Sequence, residues 1–376
     1  MQMHESKHLY VVGGGFSGTA LAYELIIQNK AKKVFIIEKI KANLFRGVAY
    51  NCHSNNYILN VKARDLGFRA DVPLDFINWL NENYPGQYLE DDFVSRNLYG
   101  NYLEERMKPF LDKYIFYIDD EIIDIDLNDE LIVGKKEKYP YGKVILALGG
   151  GYISPDLPFN LENQKDIYIK GTGLSAIDIV VDLYKKNFKG NIHLCSRHGL
   201  LPLAHDHGVG NFTITYRLKD LFMTIKKIYR QQRETQFVLI QLRPKLEELW
   251  NGFTQKEKNQ FKKYLRPYWE VFRHRTPVEH LQIINELISE KRLNISRKII
   301  EGVTYIDCTG FNKIDKNEFF QNLVRRKVIE KDIFGWGARS LNSKFIILGP
   351  LQKYEKFEIT AIKELREEIK KLALSL

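Results

Sequence analysis

Gly13-Gly14-Gly15-Phe16-Ser17-Gly18 places glycines at the first, third and sixth positions of a G-x-G-x-x-G pattern. That spacing suits a pyrophosphate. The first glycine permits a tight turn, the second lets backbone approach the phosphates, and the third lets a helix pack closely on a strand. The negative charge then meets unpaired N–H groups where the helix opens, at Phe16 and Ser17. Glu38, twenty residues past Gly18, is placed to accept hydrogen bonds from a ribose, with Lys39 beside it. A second pattern, Gly171-Thr172-Gly173-Leu174-Ser175-Ala176, begins 158 residues after the first and ends on alanine, which the pattern allows. Its second strand does not end in an acid but in Ser196-Arg197, followed by His198. A hydroxyl and a guanidinium can bind the 2′-phosphate that a carboxylate would repel, which favours NADPH over NADH. Two different dinucleotides on one chain point to a flavin reduced by a nicotinamide: FAD at the first motif, held by its ADP half, and NADPH at the second. The alternative readings are a glycine-rich turn without a ligand and a merely superficial Arg197.

These residues need elements to position them. Leu9–Val12 reads as a buried strand, Ala20, Leu21, Leu25 and Ile26 mark a helix, and Lys33–Glu38 reads as the next strand. The second set is Asp166–Lys170, Ile177–Tyr184 and Asn191–Arg197. Short strands are expected at Tyr114–Ile118, Glu121–Leu127 and Leu131–Val133, and a buried one at Lys143–Leu148, with a linker at Pro155 and Pro158. From Arg217 to Arg292, apolar residues such as Leu218, Leu221, Phe222 and Ile225 recur at three- and four-residue steps. That spacing predicts three or four amphipathic helices inserted into the second unit. Val303–Asp307 and Lys344–Leu348 return to strand, and Glu358–Leu374 reads as a terminal helix. The expected fold is α/β, with two dinucleotide-binding, Rossmann-like domains. The FAD domain takes 1–155 and 315–376, and the NADPH domain takes 156–314 with a helical insert over 213–300.

Composition narrows the classes. Of 376 residues, 44% are hydrophobic and 28% charged, which excludes a disordered, collagen-like or disulfide-scaffold chain. No apolar run reaches the roughly 18 residues of a membrane span, and the N-terminus lacks the apolar core of a signal peptide. Cys52, Cys195 and Cys308 are far apart with no CxxC or metal spacing, so a reducing cytoplasm is expected. His205 and His207 flank Asp206 without further ligands, which suits hydrogen bonding or proton transfer better than a metal. The net charge is +10, and residues 213–300, with nineteen Lys and Arg against nine Asp and Glu, carry all of it. Such a segment can attract nucleic acid, an acidic surface or an anionic cofactor, or can be a solvated face. It lacks the aromatic stacking surface of common RNA-binding folds, which weighs against nucleic acid. Arg273-His274-Arg275 reads as a helix-end cluster or as a clamp for an anion.

The chain resembles the bacterial FAD-NAD(P)-binding family related to N-hydroxylating flavin monooxygenases, over nearly its whole length. The likeness rests on Gly47-Val48-Ala49-Tyr50, Tyr57–Val61, Asp75–Leu80, Arg96–Leu103, Gly171–Ala176, Ser196–Pro202, Arg273–Arg275, Leu348–Leu351 and Glu358–Ala361. The resemblance implies that Gly47–Tyr50 and Leu59–Ala63 approach the flavin and that Gly349-Pro350 closes the FAD site. It also implies that the helical insert is a family feature, and that Asn60 and Arg64 are nicotinamide or substrate contacts. The longer fingerprint of typical Baeyer–Villiger enzymes is missing. The expected activity is an NADPH-consuming monooxygenase acting through a flavin C4a-(hydro)peroxide on a small molecule, acidic or carrier-bound, by N-hydroxylation or Baeyer–Villiger-type insertion of oxygen from O2. The alternatives are a flavin-dependent reductase or oxidase without oxygen transfer, and an RNA-binding or RNA-modifying flavoprotein.

Overall fold

The computed structural model describes residues 8–52, 54–149, 164–205, 217–231, 235–309 and 314–376. The expected linker at Pro155 and Pro158, and His207, lie outside them. The chain divides into two compact units, one of Met1–Asn55, Val61–Ile153 and Phe311–Leu376, the other of Asn56–Asn60 and Ser154–Gly310.

The first unit opens with β1 (His8–Val12), α1 (Phe16–Ile27) and β2 (Val34–Ile37). A one-turn helix α2 (Gly47–Tyr50) follows, then β3 (Ile58–Lys62), which starts in the second unit and ends in the first. Next come α3 (Asp75–Asn83), β4 (Phe93–Ser95), α4 (Arg96–Met107), β5 (Ile115–Ile118), β6 (Ile122–Asp126), β7 (Leu131–Gly134) and β8 (Lys138–Leu146). β5, β2, β1 and β8 pair in that order, all parallel, with Val11 opposite both Ile36 and Ile145. Near-continuous Val and Ile suit strands covered on both faces. The first half of β8 also joins an antiparallel ribbon with β7 and β6. α1 is buried almost all round because α13, the terminal helix introduced below, packs on it.

The second unit repeats the plan: β9 (Asp166–Lys170), α5 (Leu174–Lys185), β10 (Asn191–Cys195). Then come α6 (Leu218–Gln231), α7 (Thr235–Leu242), α8 (Leu246–Gly252), α9 (Gln255–Gln260) and α10 (Arg266–Arg273), followed by α11 (Val278–Ser289), β11 (Leu293–Ser296) and β12 (Tyr305–Asp307). Its parallel sheet runs β11-β10-β9-β12. Asn56 belongs here through its amide, which donates to Asp182 of α5 at 2.7 Å. The chain then returns to the first unit with α12 (Glu318–Arg325), β13 (Ile329–Lys331), β14 (Ala338–Ser340), β15 (Phe345–Ile347) and α13 (Ile362–Ser375). β15 extends the first sheet on β8, and Phe319, Phe320 and Leu323 of α12 join the core beside Val144 and Phe345.

Three expectations need correction. The helical region holds six helices among the described residues, and its last part is not an insertion. α11 packs on α5, and β11 is a strand of the unit's own sheet. Periodicity cannot separate a crossover helix from an inserted one, because both bury one apolar stripe. The terminal helix begins at Ile362, not Glu358. No helix among the described residues is long and apolar enough to cross a membrane.

His280 of α11 is buried, and burial, aided by Lys185, pushes its imidazole down to about 4. Between that value and the ordinary 6.5 the unfolded chain binds a proton that the folded chain refuses. Stability therefore falls as pH drops through this window. His280→Leu is expected to narrow the difference in melting temperature between pH 7.5 and pH 4.5.

Candidate dinucleotide sites

The first sheet reverses its winding between β1 and β8, and the first glycine motif sits at that point. Gly13 has φ +107°, and an added Cβ would lie 2.8 Å from the Ala147 carbonyl carbon and closer still to its oxygen. The turn therefore requires glycine. Gly18 faces Val11, whose Cγ1 would lie 2.9 Å from an added Cβ, so α1 rests directly on β1. Two distant segments close on the start of α1. A Cβ on Gly47 would lie 3.0 Å from the Gly15 Cα, and one on Gly349 would meet the Ser17 hydroxyl at 2.5 Å. Pro350 follows in the 3₁₀ turn Gly349–Tyr354.

The helix start itself is left open. No side chain caps α1 and its first turn holds no acid, whereas α4, α9 and α12 are capped by Ser95, Thr254 and Asn317. The N–H groups of Phe16, Ser17 and Gly18 thus form an anion cradle whose close-packed glycines suit a pyrophosphate. Glu38 closes one side: its Oε2 accepts from the Gly14 N–H at 3.0 Å and its Oε1 from the Ile40 N–H at 3.1 Å. Tyr50 sets its ring edge-on to Phe16 and Tyr99, at 6.5 and 4.8 Å, and burial pushes its phenol up to about 12. Lys39 pairs with Glu121 at 3.1 Å.

The second unit reproduces this geometry. Gly171 has φ +126°, and an added Cβ would lie 2.8 Å from the Cys308 carbonyl carbon, across the reversal between β9 and β12. Gly173 opens α5 without a side-chain cap, and a Cβ there would meet nothing within 4 Å. Leu174 and Ser175 begin the helix, and Ala176, fully buried, occupies the third motif position. The loop after β10 is pinned by hydroxyls. Thr172 Oγ1 lies 3.0 Å from Ser196 Oγ and donates to the Leu200 carbonyl at 2.7 Å, while Ser196 Oγ accepts from the Gly199 N–H at 3.0 Å.

Beside that loop the structure adds a cation that sequence reasoning missed. Cys195 pairs with Ser296 across β10 and β11, so the residues after both strand ends are neighbours, and Arg297 joins Arg197 and His198. Burial, then the charges of Arg197 and Arg297, push the His198 imidazole down. Among the described residues neither arginine has an ion-pair partner. The signal is the strand Leu293–Ser296, which lies inside the span expected as a helical insert.

Other sequence candidates are placed as follows. Asn60 is half-buried on β3. Arg64 pairs with Asp91, which Lys62 also contacts at 2.9 Å. His205 donates its backbone N–H to the Thr276 carbonyl at 3.0 Å. Arg273 ends α10, and Arg275 is only 4% exposed, which removes it from any surface clamp. All three cysteines are free, and burial pushes the Cys308 thiol up to about 12. Among the described residues no group of three or more His, Cys, Asp or Glu could hold a metal ion.

Residues 10–151, which hold the first site, match the model of the FAD-NAD(P)-binding family. No curated protein matches the sequence. Among solved structures, the chain is similar to the reduced form of an ornithine hydroxylase from Pseudomonas aeruginosa, with 14% identity, TM-score 0.62 and 98% of each chain covered. It is equally similar to an ornithine N-hydroxylase from Kutzneria sp. 744, solved with reduced FAD, NADP+ and L-ornithine, at 13% identity, TM-score 0.62 and 98% of each chain. A bacillithiol disulfide reductase from Staphylococcus aureus matches at 13% identity and TM-score 0.55, over 98% of this chain and 97% of that one. These likenesses establish the shared fold.

Two motif positions, Gly13 and Gly173, predict opposite outcomes for substitution. Gly13→Ala forces a side chain onto backbone at positive φ, so it is expected to cost about 3 kcal/mol or more and to abolish FAD retention on purification. Gly173 has φ −81° and open space around it, so Gly173→Val should change stability by less than about 0.5 kcal/mol. It should retain FAD yet weaken NADPH binding about ten-fold or more, by occupying the space at the helix start. Thermal melts, bound-flavin absorbance and NADPH titration distinguish the two.

Proposed function

We propose that the chain is an FAD-dependent, NADPH-consuming monooxygenase that transfers one oxygen atom to a small molecule, at an amine nitrogen or beside a carbonyl. One observation carries this reading: two glycine-loop sites of the same backbone geometry, of which the first ends in Glu38 and the second in a cationic edge. Dissimilar edges suit dissimilar dinucleotides. The fold shared with two ornithine hydroxylases, at a TM-score of 0.62, supports oxygen transfer as the reaction class.

The residues present fit both cofactors. The uncapped start of α1, with Gly15, Gly47 and Gly349 drawn in around it, would hold the FAD pyrophosphate, and Glu38 the adenosine ribose. The start of α5 would hold the NADPH pyrophosphate, with Ser196, Arg197, His198 and Arg297 around the 2′-phosphate. When bound, the cofactors supply the electrons of NADPH to dioxygen through the flavin. The balance is substrate, O2, NADPH and a proton giving oxygenated substrate, NADP+ and water. The chain's own part is to bind, orient and exclude water. Asn60 and Arg64 are assigned to nicotinamide or substrate contact, a role in which Arg64 would exchange its pairing with Asp91.

A reductase or oxidase without oxygen transfer is the second reading, supported by the fold shared with a bacillithiol disulfide reductase. The deciding experiment reduces the flavin anaerobically with NADPH or NADH, then admits labelled oxygen in the presence of amines and ketones. Labelled product coupled to NADPH oxidation supports the monooxygenase, and hydrogen peroxide alone supports the oxidase. In the same assay Arg197→Ser and Arg297→Ser are each expected to raise the NADPH KM about ten-fold and leave NADH nearly unchanged. Equal effects on both nucleotides would remove the 2′-phosphate assignment.

A further inference from the structure

The segment that carries the whole +10 charge also forms an open cavity of about 960 Å³, lined by α6, α8, α9 and the turn joining α9 to α10. That volume lies within the roughly 300–1,000 Å³ typical of small-molecule sites. Its apolar wall is Leu218, Phe222, Leu249, Phe253, Phe261 and Leu265. The joining turn, Phe261–Leu265, is a π-helix, a rare geometry that recurs at functional sites. It buries Phe261 and Leu265 while leaving Tyr264, also in the lining, 54% exposed.

The charged lining is uneven. Arg217, Lys219 and Lys245 face Glu248 and Glu257, which leaves one net positive charge. Both carboxylates are engaged: Glu257 accepts from the Thr254 N–H and hydroxyl at 2.9 and 2.8 Å, and Glu248 pairs with Lys245 at 3.4 Å. Arg217 and Lys219, either side of Leu218 at the start of α6, have no ion-pair partner among the described residues. A polyphosphate would be repelled by the two carboxylates. A single negative charge on an apolar body matches both the charge and the wall.

We propose that this cavity binds a fatty carboxylate, with the acyl chain against the aromatic wall and the carboxylate on Arg217 and Lys219. Its lining shares no residue with the two dinucleotide sites. Calorimetric titration of the flavin-loaded chain with decanoate, dodecanoate and tetradecanoate, each as monomer, tests it. Affinity should rise with each added methylene, by up to about four-fold. Methyl dodecanoate, which keeps the chain but loses the charge, should bind at least about ten-fold more weakly than dodecanoate. The double variant Arg217→Gln/Lys219→Gln, at two exposed positions and checked for folding by circular dichroism, should lose a similar factor. Binding that is absent, indifferent to chain length, or unchanged in the ester or the double variant overturns the proposal. So does association with phosphatidylglycerol vesicles without binding of the monomeric carboxylates, which would make this face a membrane contact.

Discussion

The fold depends on one close approach, made twice. In each unit the first glycine of the motif runs against the carbonyl that follows the neighbouring strand, Gly13 against Ala147 and Gly171 against Cys308, both at positive φ. A parallel sheet whose winding reverses leaves a crevice at its carboxyl ends, and the chain must turn sharply there to start a helix. Only a residue without a Cβ makes that turn against another backbone. Once it is made, the helix start points its free N–H groups into the crevice, and an anion site exists before any side chain contributes.

What was legible in the sequence follows from this. The two motifs, their strands and Glu38 are local features, and the backbone rules that govern them act over a few residues. The long-range partners were not legible from the residues alone. Nothing near Gly47 or Gly349 shows that one will touch Gly15 and the other Ser17, since these contacts join segments 32 and 332 residues apart. The resemblance placed both segments at the FAD site without naming the residues they touch. Arg297 is hidden for a different reason: its position beside Arg197 follows from the register of β10 with β11, and β11 is four residues long beside a long helical stretch.

The two sites also differ where their ligands would differ. In the first, carboxylate and backbone are hydrogen-bonded to each other, Glu38 to Gly14, so the acid is held at the end of β2 without needing a cation. In the second, the strand end has hydroxyls that fix the loop and guanidiniums that stay uncompensated. An uncompensated pair of like charges costs electrostatic energy and persists where a counter-charge arrives with a ligand.

The excess charge of the chain divides by the same logic. Arg275 is buried and Arg273 closes a helix, so neither is a freely exposed charge able to draw an anion from a distance. Two pairs of cations without an ion-pair partner among the described residues stand out by their position, Arg197 and Arg297 at the strand ends of the second sheet and Arg217 and Lys219 at the start of α6. Both flank spaces that the backbone keeps open, at Gly173 and beside the π-helical turn. Charge without a partner beside space without a side chain is what a ligand site requires, and a solvated face requires neither.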